Sequence, residues 1–135
     1  MHHREHAAAI AERLAREETG ALGVALVGSV AAGTDHPDSD IDLIVAAATD
    51  PGVRVTHVEG RMATLTRKTP ADLAAAFSDP AQAPAAVPAW RSARILTDPG
   101  GHLAAVQARA LAWTWEQVGA GADDWAAGQL VGLAE

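Results

Sequence analysis

The sequence predicts an α/β (α+β) fold, in which helices flank a sheet of about four to five strands. Three observations predict it. The chain opens with a segment of helix-forming residues, an almost continuously apolar stretch follows, and two later segments of strand-forming residues are joined by Glu59-Gly60. Helical and extended segments in this arrangement pack as layers around one core.

The first helix is expected over His6 to Glu18, because this stretch is rich in helix formers and Gly20 follows as a stop. It should cover one face of the sheet. Leu22 to Val27 is the first predicted strand, apolar enough to be central and buried on both faces. Three histidines near the start are compatible with metal binding, but a solvated terminus is the simpler interpretation: His2, His3 and His6.

The most informative stretch is Val27 to Val45, V-G-S-V-A-A-G-T-D-H-P-D-S-D-I-D-L-I-V. Gly28 permits a sharp turn and Ser29 adds a hydroxyl donor, so this corner favours bound phosphate. Asp40 and Asp42 should point to one face of the second strand, because side chains alternate along a strand. Two such carboxylates repel each other unless a cation lies between them, and hard oxygen ligands suit Mg²⁺.

Each of these motifs has an ordinary structural interpretation when it is taken alone. Gly-Ser is common at turns, and an Asp-x-Asp pair is often a solvated strand edge. Their combination, with ten residues between them and an apolar strand on either side, favours the functional interpretation. Gly33 and Ser39 are further candidates for nucleotide contact, although Ser39 could simply precede the strand. Asp35 and His36 lie near the expected phosphate, but His-Pro is more often only a turn.

Gly28-Ser29, ten residues and Asp40-Ile41-Asp42 resemble the signature of the nucleotidyltransferase superfamily, which includes DNA polymerase beta and kanamycin nucleotidyltransferase, and especially its minimal, small-protein branch. The resemblance is specific over Leu22 to Ala46 and weaker to about residue 100. It implies a mixed, twisted sheet of the polymerase beta type. It also implies Asp40 and Asp42 as catalytic Mg²⁺ ligands, an NTP substrate whose phosphates lie at Gly28 and Ser29, and transfer of a nucleoside monophosphate to a small-molecule or protein hydroxyl.

The same resemblance raises a question about activity, because the family usually supplies a third carboxylate from a later strand. The best placement is Arg61 to Thr66, where Thr64 occupies the acid's position, and Glu59 is expected in a turn. A second function therefore stays open: a catalytically degenerate nucleotide-binding or interaction module, antitoxin-like in character. His57 is a candidate base, against the simpler interpretation of an exposed strand histidine.

The later elements follow from local signals. Val53 to Val58 and Arg61 to Thr66 are predicted to form a hairpin in which Val55 faces Thr64, His57 faces Met62 and Val58 faces Arg61. Three further segments follow in order: a helix with Thr69 as N-cap over Pro70 to Phe77, an extended proline-rich connector over Pro80 to Pro88, and a short strand over Arg94 to Leu96.

Two helices are predicted at the end, over His102 to Val118 and over Asp124 to Ala134. The expected organisation is a nucleotidyltransferase core over residues 1–100 and a helical segment over residues 101–135 that packs on the core or on a partner. Exposed apolar surface there would favour a homodimer or another partner chain. The tryptophans are expected in core or interface packing rather than stacked on a base.

Composition excludes several classes of function. A chain of 135 residues fits one domain with a proper core. The net charge of −7 argues against general nucleic-acid binding, and the lack of cysteine excludes disulfides and thiol chemistry. We recognise no signal peptide and no apolar run of membrane-spanning length, so we expect a cytoplasmic protein without membrane contact.

Overall fold

The computed structural model describes residues 2–35 and 39–117. Its elements in chain order are α1 (His2–Glu17), β1 (Gly23–Val27), α2 (Gly28–Ala32), β2 (Ile41–Ala46), β3 (Gly52–Val58), β4 (Arg61–Lys68), α3 (Pro70–Ala75), α4 (Ala83–Arg91), β5 (Arg94–Thr97) and α5 (His102–Leu111). Short 3₁₀ turns follow α3 at Ala76–Ser78 and α5 at Trp115–Gln117.

The five strands form one sheet in the order β3-β4-β2-β1-β5. Strands β2 and β4 are parallel, and the other neighbouring pairs are antiparallel. The sheet is therefore mixed, and the predicted α+β fold class is confirmed. Strand β1 lies inside the sheet and all of its residues are buried, as its apolar sequence predicts.

Helix α1 covers the first face of the sheet. It begins at His2 rather than His6, and its apolar residues pack on every second residue of the strands. The residues of this first cluster include Ala7, Ile10, Leu14, Val24, Leu26, Ile41, Leu43, Val45, Ala63 and Leu65.

Helices α3, α4 and α5 cover the second face. Their buried residues meet β1 and β2 in a second cluster that includes Ala25, Val27, Ala46, Leu73, Phe77, Val87, Trp90, Leu103, Val106 and Ala110. Within the described part of the chain this cluster contains no side chain from β3 or β4. Val53 and Val55 on β3 are accordingly 67% and 53% exposed. The second face is therefore open toward the β3 edge.

The hairpin is confirmed residue by residue. The observed pairs include Val55–Thr64, His57–Met62 and Val58–Arg61. Glu59 and Gly60 have φ values of 50° and 81°, the positive values that a two-residue hairpin turn of type I′ requires. His57 and Thr64 thus lie on one face, on neighbouring strands.

Helix α3 is also confirmed. The N–H of Asp72 donates to Thr69 Oγ1 at 3.1 Å, so Thr69 is the predicted N-cap. Pro70 occupies the start of the helix, where its missing N–H is not needed.

The prediction of an extended connector over Pro80 to Pro88 is wrong, because this segment falls largely within α4. Pro84 stands in the first turn, where a proline is tolerated. Pro88 lies inside the helix, at a cost of roughly 3 kcal/mol. Val87 and Trp90 are each 4% exposed. Burial of such side chains stabilises by roughly 1.5–3 kcal/mol each, which offsets the cost of the proline.

The helix predicted to reach Val118 ends at Leu111. Beyond that point the chain is held by specific hydrogen bonds. The indole Nε1 of Trp113 donates to the carbonyl of Phe77 at 2.8 Å, and Arg91 Nη2 donates to the carbonyl of Trp113 at 3.2 Å. These bonds to distant residues replace the continuation of the helix.

The tryptophans in the described residues have different environments. Trp90 is in the core, as predicted, whereas Trp115 is 61% exposed and packs edge-on against Trp113 with ring centroids 5.0 Å apart. The helix predicted over Asp124 to Ala134 lies outside the described residues. No helix in residues 2–35 and 39–117 has the length and apolar character that a membrane crossing requires.

Candidate active site

The glycine-serine corner and the acid-bearing strand meet at one end of the sheet. Because β1 and β2 are antiparallel, Val27 pairs directly with Asp42. Gly28 follows Val27, and a Cβ built on it would lie 2.6 Å from Asp42 Oδ2. The backbone of the corner is therefore in contact with the acid, a proximity on which the predicted phosphate and metal site depends.

Gly28 is needed here for two reasons. Its φ of +78° lies in the region that residues with a Cβ rarely adopt, and the Asp42 carboxylate occupies the space that a side chain would need. The first turn of α2 begins at this residue, and the N-cap Val27 makes no side-chain hydrogen bond to it. The backbone at the start of α2 thus lies beside Asp42, and the free N–H groups of a helix start suit an anion.

Asp40 and Asp42 interact electrostatically. The pKa of Asp42 is raised above its ordinary value, first by burial and then by the negative charge of Asp40. Asp42 is half-buried in β2, whereas Asp40 is exposed and precedes the strand by one residue. Two carboxylates that repel each other would both be stabilised by a cation bound between them.

The donor set fits Mg²⁺ that arrives with a phosphate. Among residues 2–35 and 39–117, no group of three or more His, Cys, Asp or Glu side chains is placed to hold a metal ion. Magnesium is commonly bound through one or two carboxylates, with substrate phosphates and water completing its octahedron. Asp40 and Asp42 supply that number of carboxylates, and the Gly28-Ser29 corner lies next to Asp42.

Thr64 occupies the position that the resemblance assigns to a third acid. It pairs with Asp42 across the parallel strands β2 and β4, so the two side chains lie next to each other on the second face. Its hydroxyl cannot replace a carboxylate as an anionic ligand. Glu59 does not fill the place either, because it lies in the hairpin turn with its Oε2 3.2 Å from His6 Nε2.

Arg61 has a role at the site that was not predicted from the sequence. It is 8% exposed, and its Nη2 donates to the carbonyl of Ser39 at 2.8 Å. It therefore fixes the backbone immediately before Asp40. Arg61 reaches Ser39 because β2 and β4 are parallel neighbours, and the pair Ile41–Ala63 continues back to Ser39 and Arg61. That pairing is not visible in local sequence.

The other candidate residues are placed as follows. Ser39 and Asp35 are both 8% exposed. Gly33, with φ of 77°, is the C-cap of α2, and its N–H bonds the carbonyls of Ser29 and Val30, so it lies at the opposite end of this short helix from the corner. His36 lies outside the described residues.

The fold and the site together define a nucleotidyltransferase-like domain: a mixed sheet in which an acid pair on one strand adjoins a glycine-serine corner after its neighbour. Residues 8–62 match the family model described as nucleotidyltransferase domain. This match includes Gly28, Ser29, Asp40 and Asp42. The family match and the shared fold support the predicted assignment to the nucleotidyltransferase superfamily.

Among solved structures, the chain is similar to a nucleotidyltransferase-like protein from Exiguobacterium sibiricum 255-15, with a TM-score of 0.58 and 12% sequence identity. The similarity covers 84% of this chain and 40% of the other, so this chain spans less than half the length of that protein. At this identity the likeness shows the fold alone. No curated protein matches the sequence.

Proposed function

We propose that the domain is a nucleotidyltransferase that moves a nucleoside monophosphate from a Mg²⁺-bound NTP to a hydroxyl of a small molecule or a protein. The observation that carries the proposal is the contact between Gly28 and Asp42, because it brings an anion-binding corner and a carboxylate pair together. Nucleotidyltransferase domains generally use a divalent metal, which agrees with the donor set.

Each side chain then has a defined task. Asp40 and Asp42 hold the ion, and binding it relieves the repulsion that raises the pKa of Asp42. The N–H groups of the corner and the Ser29 hydroxyl donate to phosphate oxygens. Once bound, Mg²⁺ neutralises phosphate charge and stabilises the pyrophosphate as it leaves.

The transfer forms a bond between the acceptor oxygen and the α-phosphorus and breaks the bond from that phosphorus to the bridging oxygen of pyrophosphate. The proton of the acceptor hydroxyl must pass to a base. His57 is our candidate, because it is exposed on the same face as Thr64 and lies diagonal to it, roughly 7–8 Å away across the hairpin. The variant His57→Ala should abolish transfer while Mg²⁺ binding survives, and an unchanged transfer rate would exclude this role.

The main test is pyrophosphate release from each of the four NTPs with Mg²⁺ and a panel of hydroxyl acceptors. Asp42→Asn should lower the rate by more than about 100-fold, because even the loss of a group that only supports a metal ligand costs 10–100-fold. Asp50→Asn is the matched control, since it makes the same charge change in an exposed loop after β2. Equal activity of the two variants would contradict the proposal.

Thr64 supports a second candidate function, a nucleotide-binding or interaction module of antitoxin-like character that has lost transfer chemistry. With Thr64 beside Asp42, the site has two carboxylates where the resemblance implies three. Measurable NTP binding with Mg²⁺, together with no pyrophosphate release for any acceptor, would favour the module. Nucleotidylation of a purified partner protein that Asp42→Asn prevents would favour the enzyme.

A further inference from the structure

A cavity of about 370 Å³ lies between the second face of the sheet and helices α3 and α4. Val27 and Ile44 line it from the sheet, and Leu73 and Trp90 line it from the helices. This space is separate from the acid pair, neither member of which lines it.

The cavity begins where the proposed phosphate site ends. Val27 directly precedes Gly28 and pairs with Asp42. Ile44 lies two residues beyond Asp42 on the same face of β2, which is about 7 Å along the strand. Lys68, which also lines the cavity, pairs with Ala46 another two residues along. The cavity therefore leads from the acid pair inward along the second face.

The chemistry of the walls favours a mostly apolar ligand with a few polar groups at its edge. Apolar side chains dominate the lining, and the longest polar groups are the Lys68 ammonium and the Gln82 amide. Ligand sites of this kind combine apolar walls with a few polar groups that fix orientation. Lys68 can only donate hydrogen bonds, whereas an amide both donates and accepts. Asp79 Oδ2 accepts from Gln82 Nε2 at 2.7 Å, which restrains the amide.

We propose that this cavity binds the nucleobase of the NTP, with Lys68 and Gln82 contacting its edge. The inference rests on the proposed function, because that function places the phosphates at Gly28 and Asp42. A ribose then spans the step from Asp42 to Ile44, and the base enters the space beyond. Nucleobases suit this space because their faces are apolar while their edges carry both donors and acceptors. A phosphate group would lose most of its hydration among these apolar walls, with Lys68 as the single cationic side chain in the lining.

The test compares nucleotide binding with binding of the phosphate part alone. Calorimetry with Mg²⁺ measures the affinities of the whole chain for non-hydrolysable NTPs and for inorganic tripolyphosphate. The best NTP should bind roughly 10-fold or more tightly than tripolyphosphate, because the base is buried in an apolar site. Ala86→Phe fills the cavity and should abolish this advantage without changing the affinity for tripolyphosphate. Ala108→Phe, on the exposed side of α5, should keep it.

A second variant guards against misfolding of Ala86→Phe. Gln82 is exposed at the start of α4, so Gln82→Ala leaves the helix core intact. It should weaken NTP binding by roughly 2- to 10-fold, the effect of one lost hydrogen bond, and leave tripolyphosphate binding unchanged. The base site would be overturned, and the proposed function left standing, by either of two results. The unmodified chain could bind NTP no more tightly than tripolyphosphate, or both variants could keep the full difference between the two affinities. Failure of tripolyphosphate to bind with Mg²⁺ would instead overturn the proposed function.

Discussion

The two faces of the sheet differ in what covers them. On the first face α1 packs on the apolar residues of β1, β2 and β4. On the second face the helices pack on β1 and β2 and leave β3 exposed. Strand β2 contributes to both, because Leu43 points to the first face and Asp42 to the second.

Because of this difference, alternate residues of β2 have different tasks: one set stabilises the fold, and the other carries the candidate site. Residues on the first face, which α1 covers and which we call the closed face, stabilise the fold through burial. No ligand is needed to complete their contacts. Asp42 and Thr64 lie on the second face, which is open toward the β3 edge, so a ligand has access from that side. Substitutions on the first face should therefore lower the stability of the fold and leave nucleotide binding unchanged. Substitutions at Asp42 and its neighbours on the second face should mainly weaken nucleotide binding.

The largest expected effect is on the closed face. Leu43 is 1% exposed, so Leu43→Ala should lower the free energy of unfolding by about 2–5 kcal/mol through lost burial and a residual cavity. Urea unfolding measures this loss, and Ile44→Ala, at a half-buried position on the other face, should cost less. The affinity of folded Leu43→Ala for Mg²⁺ and NTP should be the same as that of the unmodified chain. A loss of affinity equal to that of Asp42→Asn would contradict the separation of the faces.

The next effect isolates the contact between the corner and the acid. Gly28→Ala and Gly60→Ala both place a Cβ at a positive φ, of 78° and 81°, which costs roughly 1–2 kcal/mol. Only at Gly28 does the new Cβ meet Asp42, because Gly60 has nothing within 4 Å. Calorimetric titration should therefore show weaker Mg²⁺ and NTP binding for Gly28→Ala alone. Equal losses in the two variants would mean that the contact with Asp42 does not matter for binding.

A smaller effect concerns the missing acid. Thr64→Asp places a carboxylate opposite Asp42, so without metal it should destabilise the fold by roughly 0.2–1 kcal/mol through like-charge repulsion. With Mg²⁺ the repulsion is relieved, and both metal affinity and pyrophosphate release should increase. Thr66→Asp is the control, because Thr66 pairs with Ile44 and Val53 rather than with an acid. Identical behaviour of the two variants would argue against a third-ligand position at Thr64.

Elements specified by neighbouring residues could be predicted from the sequence. The hairpin register followed from Glu59-Gly60, and the start of α3 followed from Thr69 and Pro70, because turn and cap preferences act over a few residues. Helix α4 could not be predicted in this way. Its prolines disfavour a helix locally, and the decisive contribution is the burial of Trp90 against a sheet that is distant in sequence.

The same division applies to the candidate site. The combination of Gly28-Ser29 and Asp40-Ile41-Asp42 was enough to single out both motifs in the sequence, and the short connection between their strands places them side by side. The role of Arg61 depends on the parallel pairing of β2 with β4, and the cavity depends on how two helices lie over the sheet. Both are products of packing between segments that no local pattern joins.

The smallest expected effect is the pH dependence of stability without added metal. The pKa of Asp42 is raised in the folded protein above its ordinary value of 3.8, by burial and then by Asp40. Between those two values the folded state binds more protons than the unfolded state, so stability falls as pH rises through this window. Asp42→Asn removes that contribution. The variant should therefore be more stable than the unmodified chain above the window, and the difference should fade as pH drops below 3.8.

Urea unfolding in the presence of a chelator, from about pH 3 to pH 7, measures the difference between the two proteins as a function of pH. With Mg²⁺ at neutral pH the unmodified chain should instead be more stable than Asp42→Asn, because the ion binds the folded, unmodified chain and stabilises it by mass action. At low pH this effect should disappear, because protons compete with the ion for Asp42. If the unmodified chain instead gained stability relative to Asp42→Asn as pH rose without metal, the acid would already be stabilised by a partner. The open part of the second face would then be no more dependent on a ligand than the first face is.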